Sequence, residues 1–158
     1  MQEETQIIAA LNSLMEVNNK RTKFYQFLVG KMRNDELRSL FRLYADQSQE
    51  FNRTLSFWRS AYGEFHLTKE KSYDDFWTQI ASLLEHWLGK NLASKCEEME
   101  HEALKAYAKV RQMPFIPVAT ASDIEHQSKA FDKSLAKLKN LLGNNVRVRE
   151  ELVHTSAL

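Results

Sequence analysis

The chain has 158 residues, 43% hydrophobic and 27% charged, with a formal net charge of +1. That length and balance suit one domain with a substantial core, and they argue against disorder. A near-neutral chain has no strong pull toward nucleic acid or an anionic membrane, and four glycines with two prolines are too few for a loop-rich all-β protein.

Cys96 is the single cysteine, so no internal disulfide and no cysteine zinc site can form, which fits a reducing compartment. The start, Met1-Gln2-Glu3-Glu4, is acidic and lacks the basic and apolar runs of a signal peptide. No window approaches the roughly 18 apolar residues that a membrane helix needs. The expectation is a soluble, cytoplasmic protein.

The first helical stripe runs from about Thr5 to Met32 through Ile7/Ile8, Leu11, Leu14/Met15, Tyr25, Leu28/Val29 and Met32, spaced by three and four. Thr5 is its expected N-cap. Asn18 and Thr22 interrupt the stripe at mid-helix. Asn34-Asp35 reads as a short connection that caps the next helix.

The second stripe, about Asp35 to Tyr62, uses Leu37, Leu40/Phe41, Tyr44, Phe51, Leu55, Trp58 and Tyr62, with Gln47 and Ser48 between its halves. Gly63 is a natural C′ residue, and the short link predicts an antiparallel hairpin. Residues 64–72 form a long loop. Ser72 then caps a short extra helix with Phe76/Trp77, Ile80, Leu83/Leu84 and Trp87/Leu88 on its stripe. After a break at Gly89-Lys90-Asn91 the main third helix carries Cys96, Met99/Glu100, Ala103, Ala106/Tyr107 and Val110 inward. Pro114 and Pro117 end it.

The last long segment, about Ser122 to Leu142, opens on a capping-box pattern, Ser122 with Glu125. Its stripe runs through Ile124, Gln127/Ser128, Phe131, Leu135, Leu138 and Leu141/Leu142. Gly143 closes it, and residues 144–158 read as a weakly ordered tail. The domain is therefore expected over 1–143.

In order and spacing the chain resembles a bacterial family of ferritin-like four-helix-bundle proteins of unknown function. The resemblance rests on Leu11, Leu14, Asn18 and Tyr25; on Leu40-Phe41, Ala45, Phe51, Leu55 and Gly63; and on Trp77, Cys96-Glu97, Glu100 and Tyr107. It covers roughly Ile7 to Leu142. It implies an all-α, ferritin-like up-and-down bundle with a long crossover between the second and third long helices. Where that family has a glycine-rich run before the tryptophan, this chain has Ser72-Tyr73-Asp74-Asp75. Where it commonly has a histidine in the last helix, this chain has Phe131.

Di-iron bundles of that kind take one Glu from each of two helices and Glu-x-x-His from each of the other two. No helix contains Glu-x-x-His facing inward. Glu50-x-x-Arg53 brings a cation and lies off the stripe, and Asp123-x-x-His126 sits near a helix start. His101 falls on the outer side if Glu100 points in. His66, His86 and His154 lie in a loop, beside Trp87 and in the tail. What the stripes share is a mid-bundle polar layer of Asn18, Thr22, Gln47, Ser48, Glu100, Gln127 and Ser128. Amides and hydroxyls are poor iron ligands but good partners for a buried acid.

The layer is therefore expected to be a hydrogen-bonded network around Glu100, without metal or cofactor. The competing readings are polar groups at a wet bundle edge and a true metal site. A Glu100 buried with no cation would titrate above the ordinary carboxylate range. Glu97, Glu98 and Glu102 spread around their helix as a solvated face, and so do Lys129, Lys133, Lys137 and Lys139. Cys96 reads as an inert core thiol.

The functional expectation is a non-catalytic helical module, interacting or stress-associated, that self-associates as a dimer through an aromatic-rich face. Nucleic acid and membrane are not expected partners. The alternatives are a carboxylate-bridged metal protein with Glu100 as ligand, an oxidase or iron handler, and a small-ligand binder using the polar layer.

Overall fold

The computed structural model describes residues 2–63 and 92–143, and all four elements there are helices: α1 (Gln2–Lys31), α2 (Asp35–Ala61), α3 (Leu92–Arg111) and α4 (Val118–Gly143). The short helix expected after Ser72, its stripe, the break at 89–91 and the tail lie outside the described residues.

Local signals explain most helix ends. At the start of α2 the Asn34 side chain accepts a hydrogen bond from Leu37 N at 3.0 Å, with Asn34 in extended geometry. At its end Gly63 takes φ 102°, the left-handed conformation that lets the chain leave the helix. Two starts differ from the sequence reading. α1 begins at Gln2, not Thr5, because Glu3 and Glu4 suit the positive end of a helix. α4 begins at Val118, not Ser122, since Pro117 O accepts Ala121 N at 2.8 Å and proline fits a helix entry. Ser122 is thus an exposed residue inside the first turns.

The pairing of the helices follows from their side chains. Along α1, Asn18 meets Tyr107 and Arg21 meets Glu100, so α1 and α3 are antiparallel. Asn52 reaches Met15 and Arg21 reaches Ser48, which makes α1 and α2 antiparallel. Tyr44 meets Ser134 while Tyr62 meets Thr120, so α2 opposes α4. Tyr107 bonds Gln127, and Arg111 lies near Glu125, on the opposed α3 and α4. The helices therefore ring the core in the order α1–α2–α4–α3. Diagonal partners α2 and α3 run parallel, which leaves the end of α2 and the start of α3 at opposite ends of the bundle.

Leu11, Leu14, Leu28, Phe41, Leu55, Tyr107, Phe131 and Leu138 are buried in one continuous core. Edge-to-face rings bind its layers, with Tyr107 and Phe131 at 4.9 Å and Phe51 and Phe131 at 5.6 Å between centroids. No helix among the described residues is long and apolar enough to cross a membrane.

Candidate functional site: a buried arginine–glutamate centre

Glu100 is fully buried, and so is a residue absent from the expected layer, Arg21. The two meet as a bidentate pair: Arg21 Nε donates to Glu100 Oε2 at 2.9 Å, and Nη2 donates to Oε1 at 2.8 Å. Nη1 donates to Tyr44 O at 3.0 Å and Ser48 Oγ at 2.9 Å, and Nη2 also reaches Ser134 Oγ at 3.3 Å. A guanidinium has five N–H donors, and these five contacts engage all of them. Its flat faces lie among rings, with Phe131, Tyr44 and Tyr25 centroids 4.8, 5.1 and 5.4 Å from Cζ.

That geometry corrects the expectation for Glu100. A carboxylate buried without a cation would be penalised by desolvation alone, but here a permanent positive charge meets both oxygens.

A second chain of hydrogen bonds lies one turn away. Asn18 Nδ2 donates to Tyr107 Oη at 2.7 Å, Tyr107 Oη donates to Gln127 Oε1 at 2.6 Å, and Gln127 Nε2 donates to Phe51 O at 3.3 Å. Thr22 Oγ1 bonds the backbone of its own helix at Asn18 O, 2.9 Å, and Ser128 is buried beside Gln127. Of the seven expected residues, six are buried. Gln47 is the exception: half-buried, it faces the groove between α2 and α4. It follows the stripe position Tyr44 by three residues and precedes Ser48 by one, and that 100° step turns it away from the centre.

Chemically the centre is closed. Burial pushes the Tyr25 hydroxyl well above its ordinary value, and the nearby Glu100 charge adds to this. Burial likewise raises Tyr107, Tyr44 and the Cys96 thiol. A group held protonated so firmly is a poor base and a poor nucleophile near neutral pH. Tyr25 feels the Glu100 charge, yet its hydroxyl finds no hydrogen-bond partner among the described residues, and neither does Asn18 Oδ1. For a metal the donor set is wrong: Arg21 takes both oxygens of Glu100. Among the described residues, no three His, Cys, Asp or Glu side chains gather in a group that could hold an ion. Glu50 and Arg53 pair with each other in solvent, and His101 is exposed.

Sequence reasoning missed Arg21 and Ser134. The signal was present: Leu14, Asn18, Arg21, Tyr25 and Leu28 keep the three-four spacing without a gap, and so do Gln127, Phe131, Ser134 and Leu138. Comparison of the chain with known protein families, with curated proteins and with solved structures finds no match.

Proposed function

We propose that this chain is a non-catalytic bundle of the ferritin-like kind, an interaction module in which an arginine–glutamate pair fills the space where a di-iron protein holds its ligands. The observation that carries this reading is the saturation of Glu100 by Arg21 at the centre of the bundle. The parallel, diagonal arrangement of α2 and α3 supports the ferritin-like part, because bundles of that kind pair two diagonal helices in the same direction. A metal centre on Glu100 would need Arg21 to leave a site where all its donors are engaged, stranding a buried cation at a cost of several kcal/mol.

Self-association belongs to the same reading. Phe57, 65% exposed beside Trp58 on the outer side of α2, is the kind of ring that a second copy would cover. The test is iron loading of full-length protein purified without chelator, followed by desalting, metal analysis and light scattering. The expected result is a discrete dimer with no retained iron. Two irons held per chain would overturn the proposal.

A further inference from the structure

The cleft between α2 and α4 has a composition that the ion-pair centre does not explain. It encloses about 370 Å³ and is walled on the α4 side by Lys129, Lys133 and Lys137. Among the described residues, no carboxylate lines it. Its floor is apolar, with Leu40, Tyr44 and Ala130, and Leu43 stands 57% exposed on the α2 rim. Within this cleft the Gln47 Oε1 atom is buried and finds no hydrogen-bond donor among the described residues. Lys133 and Lys137 have no ion-pair partner among the described residues, while exposed Lys129 has only Glu125 of its own helix at 3.6 Å.

The spacing selects the occupant. Lysines four apart on a helix project from one face about 6 Å from each other along the axis, so these three form a row about 12 Å long. One small anion meets one or two of them. A partner helix carrying carboxylates at the same four-residue spacing meets all three, and an apolar stripe beside its acids would lie on Leu40 and Leu43. A flat anionic bilayer could touch the lysines but could not enter the cleft to cover its floor.

We infer that the α2–α4 cleft is a docking groove for an acidic amphipathic helix of a protein partner. The inference rests on the interaction-module reading and adds the chemistry of the partner.

The probe is a fluorescein-labelled synthetic helix with glutamate at every fourth position and leucine on the adjoining stripe, titrated into the full chain and followed by anisotropy. A twin with lysine for each glutamate is the control. The glutamate helix is expected to bind and the lysine twin to fail. The Lys133→Glu/Lys137→Glu variant should weaken binding about tenfold or more, since two exposed pairs become repulsions. Leu43→Ser should also weaken it. The same charge change on α3, Lys105→Glu/Lys109→Glu, should leave affinity within about twofold, because both lysines are exposed away from the groove.

All these positions are exposed, and helical circular dichroism checks that each variant folds. Equal binding of the twin, or equal weakening by the α3 control, would refute the groove. So would pelleting with phosphatidylglycerol vesicles in place of peptide binding, or a change of oligomeric mass caused by the α4 variant, which would assign the groove to a second copy. Iron retention is read separately on the same preparation, so failure of the groove and failure of the metal-free reading give different results.

Discussion

Removing one member of the Arg21–Glu100 pair leaves the other charge in the core with no opposite charge, and that imbalance sets the expected cost. Arg21→Met or Glu100→Gln should each lose about 3–5 kcal/mol of stability in urea unfolding at neutral pH. Arg21→Met/Glu100→Met, which removes both charges, should lose much less than the sum of the single changes. A double-mutant cycle with coupling below about 1 kcal/mol would show that the pair is not the energetic centre. Arg21→Lys keeps the charge but not the planar five-donor fork, so it should not restore stability. The same pair explains the limit of the sequence reading. A buried acid was legible from Glu100 lying between Cys96 and Tyr107, but burial of Arg21 makes sense only once its partner stands opposite. Neither residue reveals the other within a single helix; the facing of α1 and α3 does.

At the scale of the element, backbone conformation divides two glycines that look alike in sequence. Gly63 ends α2 at φ 102°, where a Cβ is strained, so Gly63→Ala should cost about 1 kcal/mol. Gly30 lies inside the last turns of α1 and is exposed, and a Cβ built there meets nothing within 4 Å. Gly30→Ala should therefore stabilise by about 0.5–1 kcal/mol. Thermal unfolding of both variants checks the pair, and a shift of the same sign in both would contradict it. Four helices, both short links and the inner faces were legible because three-four spacing survives whatever the tertiary arrangement. The starts of α1 and α4 were not. Thr5 and Ser122 are good caps in isolation, but the acidic turn at Glu3–Glu4 and the proline entry at Pro117 won several residues earlier. The place of Gln47 was lost for a related reason: a one-residue step on α2 separates the centre from the groove.

For the whole molecule, the buried hydroxyls and thiol around the ion pair matter together. Arg21 touches α2, α3 and α4 from α1, and Tyr25, Tyr44, Tyr107 and Cys96 pack in the same core. Burial raises all four of these acids above the ordinary values of 10.0 for a phenol and 9.0 for a thiol, and for Tyr25 the Glu100 carboxylate adds repulsion. The folded chain thus keeps protons that the unfolded chain gives up. Stability from these groups is full below the unfolded-state values and drains away as pH climbs from about 9 toward the folded-state values. Each such proton steepens the fall by about 1.4 kcal/mol per pH unit.

Urea unfolding between pH 8 and 11 should show a flat region and then a steep decline beginning near pH 9–10. Tyr25→Phe removes a buried hydroxyl that lacks a hydrogen-bond partner among the described residues. It should therefore leave stability at pH 8 unchanged or raised by up to about 1 kcal/mol, while making the alkaline decline shallower by one proton's worth. Parallel declines for the wild-type chain and Tyr25→Phe would mean that the phenol at the centre ionises as freely in the folded state as in the unfolded one. The closed character of the core would then be lost.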